Sequence, residues 1–181
     1  MSEKEILQAR LDEKRRMQAA GRMMTKLFIA TSSLIFVTFI FVWLFQNFPA
    51  IAIPTIYEVA TWFILVSSAL IIMSQLKIKE DEIEKAFKFI VLGLFSGLLF
   101  LILQFAGWNE LLDSNMNYRN ILFPFSLVHF MHVLIGMVLL LAVLRKMRDY
   151  QVHSKAKHFA FNVFMFWHFL GMVWLLFIGV A

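Results

Sequence analysis

Five apolar stretches constrain this chain more than any other feature: approximately Leu27 to Phe48, Thr55 to Leu76, Phe87 to Trp108, Ile121 to Leu144 and Phe159 to Val180. At ~1.5 Å of rise per residue, a helix of that length crosses a hydrocarbon core of about 30 Å. Continuous apolarity also favours helices over the alternating strands of a membrane barrel. The expected fold is an all-α integral membrane protein, a five-transmembrane-helix bundle. With 61% of its 181 residues hydrophobic, the chain is far more apolar than a soluble domain. The bundle takes up residues 27–181 and only the charged segment 1–26 lies outside it, so no separate extramembrane domain is expected.

Charge then orients the bundle. Lys4, Arg10, Lys14, Arg15, Arg16, Arg22 and Lys26 precede the first span. Lys77, Lys79, Lys85 and Lys88 fall at the second connection, and Arg145, Lys146, Arg148, Lys155 and Lys157 at the fourth. Arg119 alone belongs to the third connection, and the first connection and the C-terminus have no Lys or Arg. The positive-inside rule predicts a cytoplasmic N-terminus and a C-terminus on the far side of the membrane. The net charge of +5 thus reports topology rather than nucleic-acid binding.

The segment 1–26 has no apolar signal core, so it reads as retained rather than cleaved. Ser2-Glu-Lys-Glu5 fits a helix capping box, and Ile6, Leu7, Leu11 and Met17 alternate with basic residues. This suits a helix on the cytoplasmic membrane surface, or equally a solvated or partner-bound helix. Pro49 and Pro54 mark the first turn, and Asn115, Asn117 and Pro124 a second outer one.

Function class narrows by what the spans lack. Cysteine is absent, which excludes disulfides and thiolate-held iron–sulfur or copper centres. Deep in the spans the ionisable residues are His129, His132 and His168. Glu58 falls near the outer start of its helix, and no Arg, Lys or Asp joins the histidines, which disfavours a voltage sensor or a carboxylate-relay transporter. His129, His132 and Gly136 follow one another along one side of the fourth helix. His132, about ten residues from the outer end, and His168 have similar depths on antiparallel helices, so the two rings could meet near mid-membrane. Two facing imidazoles suit an axial pair on haem iron, which would make a stand-alone haem-b protein. The alternative is interhelical hydrogen bonding. A proton-carrier role lacks an accompanying chain of carboxylates. Trp167 and Trp174, with Gly171 between them, form either a groove for a lipid tail or plain helix packing. Gly93-Leu-Phe-Ser-Gly97 is a small-xxx-small motif that lets helices approach closely, within this chain or toward another subunit.

Together, His129-x-x-His132-Val-x-x-Gly136, Trp167-His168-Phe and Trp174-Leu resemble the last two helices of subunit III of the haem-copper terminal oxidases, in its short five-helix form. Val66-Ser67-Ser68 in the second span and Leu103-Gln104-x-x-Gly107-Trp108 at the end of the third extend the resemblance through all five spans. It implies a non-catalytic accessory subunit of a respiratory cytochrome c oxidase, with no catalytic, cofactor-binding or metal-binding residue of its own. Haem and copper would belong to partner subunits, subunit I would be the main partner, and phospholipid would be held near its oxygen and proton entry. A quinol oxidase or nitric oxide reductase accessory subunit is the alternative within the resemblance. Three positions depart from the family pattern: Thr31-Ser32 stands for a Ser-Glu pair, Gly107 for the glutamate of Gln-x-x-Glu, and Gly171 for an aspartate. Roles resting on those carboxylates do not transfer. The polar partners of the three histidines stay open at this level.

Overall fold

A computed structural model of the chain describes residues 3–45, 53–113, 119–148 and 156–180. Five helices carry these residues: α1 (Glu3–Phe45), α2 (Thr55–Lys79), α3 (Ile83–Asp113), α4 (Arg119–Arg148) and α5 (Ala156–Val180). All five are long and apolar enough to cross a membrane, and no strand occurs among the described residues. Each helix runs past its apolar stretch because charged ends can remain helical once they have left the hydrocarbon. Ser2, Pro49, Asn115 and Asn117, which the sequence reading used as caps and turn markers, lie outside the described residues. Pro124 does not mark a turn: it lies inside α4, in the second turn, where its missing N–H removes a single intrahelical bond.

α2 and α3 form the tightest pair, a hairpin, and the reason is legible in α2. Its buried residues are Tyr57, Ala60, Ile64, Ser67, Ile71, Ser74 and Ile78, alternating three and four apart. That spacing keeps one seam facing a neighbour at a shallow crossing angle. Hydroxyl groups bolt the seam: Ser67 Oγ donates to Gly93 O at 2.7 Å, Ser74 Oγ to Ala86 O at 3.1 Å, and Ser96 Oγ to Phe63 O at 2.7 Å. With lipid on the outside, such bonds and close backbone approach replace the hydrophobic drive of water-soluble bundles. The turn ends α2 in a Schellman arrangement. Glu82 N–H donates to Lys77 O at 2.9 Å and Asp81 N–H to Ile78 O at 3.3 Å, with Asp81 at a φ of 58° where glycine is usual.

α5 occupies the centre, against α1, α2 and α4, while α3 also meets α4. α1 is peripheral and, among the described residues, touches only α4 and α5. The charged segment forms the first half of α1, continuous with the span. Forty-three residues make a helix of about 65 Å, longer than a bilayer is thick, so one end stands beyond the apolar zone.

Candidate functional site

The motif residues converge on α5. Trp167 is almost wholly buried, with its indole wedged between two glycines. A Cβ at Gly97 on α3 would come within 2.9 Å of Trp167 Cζ2 and Cη2, and one at Gly136 on α4 within 3.0 Å of Cε3. Trp167 Nε1 donates to Ser67 Oγ at 3.2 Å, and that hydroxyl in turn donates to Gly93 O. One ring therefore fixes α2, α3, α4 and α5 together. Gly93-x-x-x-Gly97 is spent inside the chain as well, since a Cβ at Gly93 would meet Ile71 at 3.1 Å.

The next residue repeats the grip on the next serine: His168 Nδ1 lies 2.6 Å from Ser68 Oγ. Seven residues after Trp167, Trp174 Nε1 donates to Thr61 Oγ1 at 2.9 Å. The antiparallel pair α2–α5 is thus joined at three points, two at adjacent residues and one about two turns away. Trp174, like Trp167, is buried among the helices.

His129 and His132 diverge although they share one side of α4. His132 Nδ1 faces Val128 O at 2.8 Å, and a carbonyl can only accept, so Nδ1 carries the proton. Nε2 of that tautomer accepts a hydrogen bond from the Ser32 hydroxyl on α1 at 3.2 Å. Phe28 stacks on the imidazole and Phe36 meets it edge-on. His129 points instead into the core, fully buried, stacked on Trp174 at 5.2 Å and edge-on to Phe100 at 5.9 Å, with Phe125 beside it. Neither of its nitrogens has a hydrogen-bond partner among the described residues.

The mid-membrane meeting of His132 and His168 is not what the helices build. His132 turns to α1 with both nitrogens engaged, and His168 turns to α2, because a hydroxyl on each neighbour offers a nearer partner. The two rings thus bond to different helices, and no group of three potential metal ligands gathers among the described residues. Gln104 and Trp108 do come together, on Ser126 of α4. Gln104 Nε2 donates to Ser126 O at 3.1 Å and Trp108 Nε1 to Ser126 Oγ at 2.9 Å. Ser126 escaped the sequence reading, although it sits one turn before His129 on the same face. Thr61, Ser74 and Ser96 escaped it too, and the three-four spacing of α2 would have found Ser74.

Two of the departures from the family pattern acquire physical reasons. Ser32, standing where a glutamate was expected, supplies the partner that His132 needs. At Gly107 a Cβ would fall 2.8 Å from Tyr57 Cζ, so the buried tyrosine ring takes the space a glutamate would need. Gly171 is different, its Cβ position being an ordinary 3.9 Å from Ile64.

Comparison with known proteins agrees with this assembly. Residues 48–181 match the family described as cytochrome c oxidase subunit III. The chain is 22% identical over 120 residues to the cytochrome bo(3) ubiquinol oxidase subunit 3 of Buchnera aphidicola, covering 64% of this chain and 58% of that one. It is 27% identical over 146 residues to the cytochrome c oxidase subunit 3 of Trypanoplasma borreli, covering 75% of this chain and 46% of that one. The chain therefore spans about half the length of these curated relatives. A match over most of its length, together with five membrane-crossing helices, identifies a multi-pass membrane protein, and the chain belongs to the cytochrome c oxidase subunit III family.

Proposed function

We propose that this chain is a non-catalytic accessory subunit of a bacterial respiratory haem-copper oxidase in the inner membrane, with its N-terminus cytoplasmic and its C-terminus periplasmic. It docks against the catalytic subunit I, stabilises it, and holds phospholipid near its oxygen and proton entry. Haem and copper belong to the partner subunits. The observation that carries this reading is the use of the motif side chains: His132, His168, Trp167, Trp174, Gln104 and Trp108 all bond to neighbouring helices or to their own helix backbone. Their chemistry is spent on holding five helices in one arrangement, which suits a scaffold.

The experiment is to tag the chain, solubilise membranes gently and assay what co-purifies. Haem-containing oxidase activity is the expected companion; recovery as a lone protein overturns the reading. A second reading, a quinol oxidase subunit, is favoured by the Buchnera relative, whose name is that of a ubiquinol oxidase subunit. Measuring whether the co-purified complex oxidises quinol or cytochrome c separates the two.

A further inference from the structure

Tyr57 on α2, Gln104 on α3 and Ser126 on α4 are fully buried polar side chains at one end of the bundle. The Tyr57 hydroxyl and Gln104 Oε1 have no hydrogen-bond partner among the described residues. A buried polar atom left unpaired forfeits the hydrogen bonds that solvent gave it, so such atoms in folded proteins are nearly always satisfied.

The three groups face one spot. Gln104 Nε2 donates to Ser126 O at 3.1 Å, which brings the amide, Oε1 included, onto Ser126. The Tyr57 hydroxyl enters the core because Gly107, three residues along α3 from Gln104, leaves room for it: a Cβ there would stand 3.1 Å from the Tyr57 oxygen. Ser126 stands close enough to act on that hydroxyl, although the two do not hydrogen-bond. Ser126 Oγ accepts from Trp108 Nε1 at 2.9 Å and donates to Phe123 O at 2.9 Å, which leaves a second lone pair unused. The spot therefore offers one donor, the Tyr57 O–H, and two acceptors, Gln104 Oε1 and Ser126 Oγ. That set is the complement of a water molecule making about three hydrogen bonds, one accepted and two donated.

We propose that a single ordered water binds here, accepting from Tyr57 and donating to Gln104 and Ser126. It joins α2 to α4, which do not pack on each other among the described residues, and so ties three helices at one point. Tyr57 is the third residue of α2, so the site lies within a turn of that helix's end, where interfacial water can enter. His129, one turn along α4 from Ser126, is the contrasting case. Its unpaired nitrogens lie among the rings of Phe36, Phe100, Phe125 and Trp174, where a water would lack the roughly three polar partners that hold one. The site stands on these contacts alone and does not depend on the oxidase assignment.

The test is radiolytic footprinting of the chain purified in its membrane complex. X-ray pulses split water in place, and the hydroxyl radical formed adds to the side chain it touches. Mixing into oxygen-18 water just before the pulse separates a slowly exchanging water, which leaves oxygen-16 on its neighbour, from open solvent; tandem mass spectrometry places the label. The expected result is an oxygen-16 label on Tyr57 several-fold above that on Trp167, a residue just as buried and no less reactive. Gln104→Leu takes away one acceptor and removes that label. Tyr57→Phe and Gln104→Leu, whose side chains do not bond to each other, together cost less than the sum of their separate costs in an unfolding titration, because both lose the same water. A Tyr57 no more labelled than Trp167, a label with the isotope ratio of the mixed solvent, an oxygen-16 label that persists in Gln104→Leu, or strictly additive costs would each overturn the site.

Discussion

The wedge of Trp167 between two glycines makes a graded prediction. Replacing Gly97 by alanine puts a methyl 2.9 Å from two carbons of the indole, where about 3.5 to 4.0 Å is comfortable. The ring has little room to retreat, because its opposite edge packs toward the Gly136 backbone, where a Cβ would stand only 3.0 Å away, and its nitrogen is held by Ser67. Overpacking of a rigid core costs about 1–3 kcal/mol, offset by up to ~1 kcal/mol from the better helix propensity of alanine. Gly171→Ala makes the same chemical change where the nearest atom is 3.9 Å away, so it should be neutral or slightly stabilising. The two variants should therefore differ by roughly 1–3 kcal/mol in an unfolding titration of the purified protein in mixed micelles. A second arm isolates the ring: phenylalanine at 167 lacks the outer six-membered ring, so Gly97→Ala should cost less on a Trp167→Phe background than alone. Equal stabilities for Gly97→Ala and Gly171→Ala, or strictly additive costs in the double variant, would refute the wedge.

Other expectations follow from the polar contacts. Ser32→Ala should weaken the α1–α4 contact by about 0.6 kcal/mol and at most about 2, measured in the same titration. His129→Phe should be neutral or stabilising, because a buried ring with no hydrogen-bond partner among the described residues is replaced by an apolar ring of similar shape; a loss above ~2 kcal/mol would show that the imidazole is used. His132→Gln and His168→Asn should leave the haem content of the co-purified complex intact and at most loosen subunit association, as read from its visible spectrum and subunit ratio. At the α2–α3 turn, hydrogen bonds from Lys77 and then Lys85 hold the Glu82 carboxyl below its ordinary 4.5. Its contribution is present above that ordinary value and is lost as pH falls through the lowered one, so the protection of the Ile83 and Ala86 amides relative to their intrinsic exchange rates should fall at acid pH, and Glu82→Gln should abolish that dependence.

The sequence carried the spans well because the bilayer imposes a length and a composition that few other structures share. Element type and number therefore followed from the apolar stretches, while the ends, set by local caps and charges, ran several residues beyond them. Within the site, the family motif named the side chains but not their directions. Three residues on a helix differ by about 60° in azimuth, enough for His129 to enter the aromatic core while His132 reaches α1. Depth alone suggested that His132 and His168 meet, and depth is a single coordinate: rotation about each helix axis sent them to Ser32 and Ser68. Ser126 was missed because one hydroxyl in an apolar helix has no periodic signature, whereas Ser67 and Ser74 share the seam of α2 and could have been read together.

The central claim, that these histidine and tryptophan motifs build a scaffold for an oxidase rather than a redox centre, is tested most directly by one purification. The tagged chain should bring down haem-containing oxidase activity, and when the subunits are then separated the Soret absorbance should remain with the partner and not with this chain. Recovery of the chain alone, or a Soret band that follows it through the separation, would contradict the claim.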